Sequence, residues 1–237
     1  MKAIVAGTGI DKDRRFYENM STVETEYGSV EYSVIDGILY LPRHKPGHPL
    51  LPHMINYKAN VKALKMLGVD EVITVYAVGS ITRRLSPGRI GLVRDFLDFT
   101  TGRKNTFSDE DPAIRHTPLV QPFDLKLSER IARCAADMSI PLSYSRIVYV
   151  TTNGPRFETA AEIEAFRVLG ADVVGMTLAT EAELLAEQGI RNAAIAYSIN
   201  WAAGLDAEGF SFLEDESIER IADSIISMSV SALSSEF

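Results

Sequence analysis

The sequence has 237 residues, 46% hydrophobic and 24% charged, proportions typical of a globular protein that can bury a large core. Its formal net charge of −8, with no long basic run, argues against a nucleic-acid partner, although a local cluster of cations could still bind a small anion. Cys134 is the only cysteine, which excludes an intrachain disulfide and a cysteine-based metal cluster. No apolar run reaches about 18 residues and the first residues do not resemble a signal peptide, so we expect a cytoplasmic protein without a membrane partner.

In the first half of the chain, short β-type runs alternate with helical patterns, which predicts an α/β protein. The elements expected there are a buried strand at 2–6, two strands at 29–34 and 37–42, a helix at 56–67 and a buried strand at 71–78. Asp36-Gly37 between the second and third strands indicates a hairpin. A strand pair is predicted within 89–99, followed by a polar, irregular segment over 100–118.

The second half continues the same alternation. The predicted helices lie at 124–138, 158–169, 180–188 and 215–233. The predicted strands lie at 146–152, 172–176 and 192–199. Because the chain contains no internal repeat and no low-complexity linker, we predict a single domain over 1–237.

Two segments that follow predicted strands carry groups suited to an anion. Gly7-Thr8-Gly9 lets the backbone approach a phosphate, although three residues alone are better explained as a tight turn. Arg43 offers a planar fork for bidentate phosphate binding, and His44 adds a donor. His44, His48 and His53 do not match a known zinc-ligand spacing and have no accompanying carboxylate, so no metal is predicted.

Two later polar residues each allow a structural and a functional interpretation. Glu158 could be an acidic residue favoured by the helix dipole in a first turn, or a carboxylate directed into a cleft beside Phe157. Asn200 ends an apolar strand, where its amide is either satisfied within a turn or available to a ligand. Neither residue decides the function by itself.

Taken in order along nearly the whole chain, these motifs resemble the trimeric nucleoside phosphorylase family, which includes purine nucleoside phosphorylase and methylthioadenosine phosphorylase. The segments that carry the resemblance are Gly7-Thr8-Gly9, Pro42-Arg43-His44 with Asn56–Asn60, Ala77–Ser80, Pro122-Phe123, Gly154–Glu162 and Gly170–Thr177. The resemblance implies a central mixed β-sheet flanked by helices. It also implies a homotrimer, with a hexamer as the alternative, and active sites near the subunit interfaces.

The resemblance further implies which residues bind the two substrates, with inorganic phosphate as co-substrate and no other cofactor. Phosphate would contact Thr8, Arg43, His44, the backbone N–H of Ala77, and Thr177. The nucleoside would contact Met176 at the ribose, Phe157 at the base, and His116 reaching in from a neighbouring subunit. Two departures from the family pattern affect the phosphate site: Tyr76 and Ile199 each stand where a small hydroxyl residue is usual. Either the Tyr76 hydroxyl compensates or phosphate affinity is reduced.

Base preference follows from hydrogen-bond chemistry at three positions. An ionised Glu158 can only accept, so it suits the N1–H of a 6-oxopurine and repels the bare N1 of adenine. Asn200 can serve both O6 and N7, because an amide both donates and accepts. Adenine-selective family members carry serine at position 158 and aspartate at positions 200 and 202, whereas this chain has Glu158, Asn200 and Ala202. We therefore predict cleavage of 6-oxopurine nucleosides, with Asn200, Glu158 and His44 as the catalytic residues.

The substituent at the 5′ carbon is left open by the sequence. Ile218 and Ala222 align with positions that line the 5′ pocket of the family, where they would tolerate a methylthio group, but ordinary packing of the last helix explains them equally well. The candidate substrates are therefore inosine, guanosine and 5′-methylthioinosine. Two alternatives remain: a methylthioadenosine phosphorylase with a relaxed base site, and a nucleoside-binding protein with weak activity.

Overall fold

The computed structural model of the chain describes residues 1–47, 49–110, 116–206, 209 and 211–235. Within these ranges nine strands belong to one sheet: β1 (Lys2–Ala6), β2 (Ser21–Thr25), β3 (Gly28–Ile35), β4 (Ile38–Pro42), β5 (Glu71–Ser80), β6 (Ile90–Asp98), β7 (Leu142–Thr151), β8 (Val173–Gly175) and β9 (Arg191–Trp201). The same ranges contain five α-helices: α1 (Tyr57–Met66), α2 (Leu125–Asp137), α3 (Ala160–Val168), α4 (Leu178–Glu187) and α5 (Asp215–Ser234).

The sheet is mixed, and part of it closes into a ring. Its strand order is β2-β3-β4-β1-β5-β8-β7-β6-β9, and β9 pairs a second time with β5. This second pairing joins β5, β8, β7, β6 and β9 into a distorted barrel, from which β1, β4, β3 and β2 extend. The predicted α/β class with a mixed sheet and flanking helices is confirmed, whereas the closure was not predicted.

Four strands that contain or directly precede predicted site residues run in the same direction. β1 is parallel to β4 and to β5, and β5 is parallel to β9. The carboxyl ends of these strands therefore meet at one edge of the sheet, where α/β proteins bind their ligands. The segments brought together there are 7–9, 43–44, 77–80 and 199–202.

Helices cover both faces of the sheet, as the alternation along β1 shows. Ile4 points into an apolar cluster that contains Ile131 of α2 and Ile225 of α5. Val5 points to the other side, into a cluster with Leu64 of α1 and Leu184 of α4. Side chains of adjacent strand residues face opposite ways, so the two clusters form two layers of core. In the part of the chain that the structure describes, no helix has the length and apolar composition needed to span a bilayer.

The observed elements differ from the predicted ones in three places. The region 89–99 forms the single strand β6 instead of a strand pair, and two irregularities in its register with β7 account for its uneven pattern. The helix predicted from 158 begins at Ala160, because Thr159 and Glu162 form a capping box that sets its first turn. β2, which pairs with β3, was not predicted because its alternation of polar and apolar residues is weak. Residues 111–115 of the segment predicted as irregular lie outside the described ranges.

The segment after β6 is held against α4 by two carboxylates, and this arrangement predicts a pH effect on stability. Asn105 donates to Glu183 at 2.8 Å, and Thr106 donates to Glu187 at 2.6 Å. Burial, together with the nearby Asp98 and Glu187 carboxylates, raises the pKa of Glu183 to about 7, against the lowering effect of the Asn105 hydrogen bond. A raised folded-state pKa means that Glu183 contributes its stability below its unfolded pKa and loses it as the pH rises through about 7.

Replacing Glu183 with glutamine should therefore raise the melting temperature relative to the wild type at pH 8 more than at pH 5. Glutamine keeps an acceptor for Asn105 and removes the ionisation. Thermal melts of both proteins across this pH range test the expectation. A difference in melting temperature that is the same at both pH values would contradict it.

Candidate active site

A cavity of about 260 Å³ lies at the edge of the sheet where the four parallel strands end. The residues predicted for phosphate, ribose and base that line it are Thr8, Arg43, His44, Ala77, Phe157, Glu158, Met176, Thr177 and Asn200. Tyr76, Ile199 and Ala202 line it as well. The structure thus brings together in one place residues that are up to 204 positions apart in the chain, counting from Thr8 to Phe212.

One end of the cavity is built around the Gly7 backbone. A Cβ on Gly7 would lie 2.8 Å from His44 Cδ2 and 3.2 Å from Arg43 Nη1, so only glycine lets both side chains come this close. The Tyr197 hydroxyl donates to the carbonyl of Thr8, which holds the turn against β9. The Arg43 guanidinium, the His44 imidazole and Thr8 therefore line the same cavity.

His44 is buried, with 5% of its surface exposed, and its ring orientation is set by the backbone. Its Nδ1 lies 2.7 Å from the carbonyl oxygen of Leu50. A carbonyl oxygen can only accept, so Nδ1 donates and the Nε2 edge turns toward Gly7. The ring is therefore oriented to interact with a ligand through Nε2.

The N-terminus of α4 adds a second set of donors to the same end. Thr177 occupies the N-cap position, and its side chain forms no capping hydrogen bond. The antiparallel register of β8 with β5 pairs Val174 with Gly79, so the chain after β8 returns alongside Ala77. Unpaired N–H groups and the dipole at a helix N-terminus favour an anion. This end of the cavity can bind a phosphate through hydrogen bonds from side chains and backbone.

The lining of the cavity also includes the two residues predicted to read the base. Thr152 donates to Glu158 Oε1 at 2.6 Å, which orients the carboxylate. Asn200 is 5% exposed, and its Nδ2 donates to the Trp201 carbonyl at 2.8 Å, which fixes the plane of the amide. A carboxylate that accepts and an amide that both donates and accepts therefore line the same cavity.

The floor and mouth of the cavity are apolar. Met176 packs against Gly154, where an added Cβ would lie 2.4 Å from the methionine Sδ. Phe157 and Phe212 approach each other with ring centroids 5.9 Å apart, and each is 51% exposed. Two partly exposed rings at the mouth can stack on a planar base.

Replacing Gly154 with alanine should raise the KM for nucleoside, because Met176 would have to move. Gly154 has φ +61, so alanine there should also cost about 1–2 kcal/mol of folding free energy. Gly170→Ala is the matched control, since Gly170 has φ +95 and no atom within 4 Å of an added Cβ. Steady-state kinetics and thermal melts of both variants test this, and an equal KM for the two would contradict the role of Met176.

Three predicted site residues do not line this cavity among the residues described. His116 is exposed on the surface of its own chain, and its contact with a neighbouring subunit stays a prediction. Ala222 is 7% exposed and lies in the apolar cluster shared with α2. Ile218 packs on the same cluster and reaches Gly9, beside Thr8. Of the three histidines considered for zinc, His48 lies outside the described residues.

Sequence reasoning missed two residues of the site. Phe212 lies in the polar stretch before α5, where a lone aromatic residue was the available signal. Glu181, in the first turn of α4, accepts hydrogen bonds from Arg43 Nε at 3.0 Å and from Arg43 Nη2 at 2.8 Å. The 138 positions between Arg43 and Glu181 leave no pattern that could pair them. Within the described residues, no group of three or more His, Cys, Asp or Glu side chains is arranged to hold a metal ion.

Comparison with known proteins identifies the family of the chain. Residues 2–234 match the family model of the phosphorylase superfamily. The chain is 35% identical to the 6-oxopurine nucleoside phosphorylase of Pyrococcus furiosus, over 98% of this chain and 91% of that protein. It is 37% identical to a probable S-methyl-5′-thioinosine phosphorylase of Thermodesulfovibrio yellowstonii, over 94% of this chain and 84% of that protein.

Among solved structures, the chain resembles methylthioadenosine phosphorylase from Schistosoma mansoni in complex with adenine. The TM-score is 0.86 at 26% identity, over 100% of this chain and 92% of that one. The match spans the barrel, its strand extension and the flanking helices. On the family model and on these relatives, the chain belongs to the phosphorylase superfamily.

Proposed function

We propose that the chain cleaves 6-oxopurine nucleosides with inorganic phosphate, giving the free base and ribose 1-phosphate or its 5-methylthio analogue. The observation that carries the proposal is the placement of Glu158 and Asn200 on the wall of the cavity that also holds Thr8, His44 and Thr177. A base-reading pair and an anion-binding end within one cavity suit a reaction between a nucleoside and phosphate. The names of the first two relatives support this substrate class.

In the proposed mechanism, the bond between C1′ and N9 breaks and its electron pair moves into the purine. The sugar becomes oxocarbenium-like, and a phosphate oxygen attacks C1′ from the opposite side. Asn200 stabilises the charge that develops at N7 and O6, and Glu158 accepts from N1–H. The phosphate is held in position by Thr8, Arg43, His44, Thr177 and the backbone N–H of Ala77. The rate therefore comes from orientation and electrostatics. Phosphate is the only co-substrate, without a further cofactor.

A second candidate is cleavage of methylthioadenosine. The likeness to the S. mansoni enzyme and to the S-methyl-5′-thioadenosine phosphorylase of Nitrosopumilus maritimus, at 39% identity, favours it. An ionised Glu158 argues against it, because a carboxylate has no hydrogen to donate to the N1 of adenine. Release of base from inosine, guanosine, adenosine and the two methylthio nucleosides, each with and without phosphate, separates the two candidates. Phosphate-dependent release from the 6-oxopurine nucleosides alone supports the first, and faster release of adenine contradicts it.

We also propose the assembly that the family resemblance implies. The chain would form a homotrimer, or a hexamer, in the cytoplasm, with His116 of one subunit near the 5′ substituent bound by the next. Ile218, through its contact with Gly9, would lie behind that pocket with Ala222. The molar mass in solution, measured by light scattering, tests the assembly, and a monomer at working concentration would contradict it.

A further inference from the structure

A buried triad of Arg43, Glu181 and Tyr76 lies under the anion-binding end of the cavity. These side chains are 2%, 2% and 1% exposed. Arg43 and Tyr76 line the cavity, and Glu181 lies behind them in the first turn of α4. The triad contains one cation and one carboxylate, so its composition determines how strongly a bound anion is attracted electrostatically.

Most of the hydrogen-bonding capacity of Arg43 is used within the protein. Its Nε donates to Glu181, and its Nη2 donates to Glu181 Oε2 at 2.8 Å and to the Val5 carbonyl at 3.4 Å. Its Nη1 donates to the Val75 carbonyl at 2.8 Å. A guanidinium has five N–H bonds, so the described acceptors leave one N–H, on Nη1, which lies on the side facing Gly7.

Tyr76 holds both partners of this ion pair. Its hydroxyl donates to Glu181 Oε2 at 2.7 Å, and its ring lies under the guanidinium, with Arg43 Cζ 4.3 Å from the ring centroid. Burial and the Glu181 carboxylate keep the pKa of Tyr76 well above its ordinary value, so the hydroxyl remains a donor. The single proton of this hydroxyl is therefore directed to Glu181 and is not available to replace the small hydroxyl that the family usually places here.

Within the ion pair, the Glu181 carboxylate cancels most of the electrostatic attraction that Arg43 would exert on an anion in the cavity. A guanidinium whose carboxylate partner is 2.8 Å away acts on a third group mainly as a dipole. Glu158, unlike Glu181, lines the cavity itself and places a second acidic side chain near a bound anion. The electrostatic potential in the cavity is therefore less positive than it would be in a site with an unpaired arginine.

We propose that Tyr76 and Glu181 are positioning residues that hold Arg43 as a charge-neutralised donor, so that the cavity recognises phosphate by hydrogen bonds instead of net positive charge. The inference rests on the proposed function, because that function assigns phosphate to this end of the cavity. It predicts that removing the Glu181 charge strengthens anion binding, which is the opposite of what a purely structural role would give.

The test is direct titration of wild type and Glu181→Gln with inorganic phosphate by calorimetry, without nucleoside. Glutamine keeps the size and an acceptor oxygen but leaves Arg43 unneutralised, so phosphate should bind about fivefold tighter or more, as expected when a hydrogen bond gains a charge. The KM for nucleoside should stay unchanged. Glu183→Gln is the matched control, because Glu183 lies on the same helix, bonds to Asn105 and does not line the cavity. It should leave phosphate affinity unchanged.

Equal or weaker phosphate binding by a folded Glu181→Gln protein would overturn the proposal. Because breaking a buried ion pair can prevent folding, a second variant replaces the whole triad by apolar residues: Arg43→Met, Glu181→Leu and Tyr76→Phe together. A neutralised arginine makes a small contribution, so this variant should lose no more than about tenfold in phosphate affinity. A larger loss would show that Arg43 anchors the anion by its charge and would overturn the proposal.

These titrations also separate the inference from the proposed function. A wild-type protein that binds phosphate but releases no base from inosine would contradict the function and leave the inference about the triad standing. A wild-type protein that does not bind phosphate would overturn both.

Discussion

Replacing Asn200 with alanine should lower kcat/KM for inosine by about 100- to 1,000-fold at saturating phosphate, the usual effect of removing one donor to a developing negative charge. The amide is 5% exposed and its plane is fixed by the hydrogen bond to Trp201, so it needs no reorganisation as charge reaches N7 and O6. Steady-state kinetics with inosine and phosphate measure the loss.

The matched control is Asn192→Ala. Asn192 is also buried and on β9, but it accepts from Thr74 at 2.9 Å near the opposite end of the strand. Its replacement should lower stability and leave kcat/KM nearly unchanged.

Asn200→Asp should in addition raise turnover of adenosine relative to inosine, because a carboxylate can accept from the adenine amino group. The same ratio of the two kcat/KM values in Asn200→Asp and wild type would refute this account of base recognition.

Replacing Glu158 with glutamine should lower kcat/KM for inosine by about 10- to 100-fold, because a hydrogen bond to a charged group is worth roughly 1.5–3 kcal/mol. Adenosine should lose nothing or gain, since the glutamine amide can donate to the bare N1 of adenine. The measurement is kcat/KM for both nucleosides. Thr152, which donates to Glu158 at 2.6 Å, should hold the amide in the same place.

Glu162→Gln controls for the loss of an acidic residue in the same segment. Glu162 pairs with Arg156 and closes the capping box of α3, and the cavity lining does not include it. Its replacement should leave the preference between bases unchanged, and glutamine can still accept from the Thr159 N–H in the capping box. If Glu158→Gln lowered inosine and adenosine turnover equally, Glu158 would not select the base.

The parts of the fold that depend on local chemistry were predicted from the sequence. The Asp36-Gly37 hairpin is confirmed: β3 and β4 pair up to Ile35 and Ile38, and the two turn residues have φ of 51 and 77, as a type I′ turn requires. The ring closure was not predictable, because it depends on β9 pairing with both β5 and β6. A strand's second neighbour is chosen by packing, which periodicity does not report.

The candidate site was predicted where a motif carried it and missed where only contact defines it. Gly7, Arg43 and His44 stand in recognisable segments, and the parallel strands bring those segments together. Glu181 has the spacing of an ordinary acidic residue in a first helical turn, so only the structure shows that it forms an ion pair with Arg43. For Tyr76, the sequence left open whether its hydroxyl compensates for the missing small hydroxyl or phosphate affinity is reduced. In the structure that hydroxyl donates to Glu181.

The ratio of kcat/KM for inosine to that for adenosine, at saturating phosphate, tests the central claim most directly. Two mismatched polar contacts at about 1–3 kcal/mol each predict a ratio of roughly 30 or more, with base release that stops when phosphate is removed. A ratio near or below one, or base release that continues without phosphate, would contradict the assignment of Glu158 and Asn200 as readers of a 6-oxopurine in a phosphate-dependent reaction.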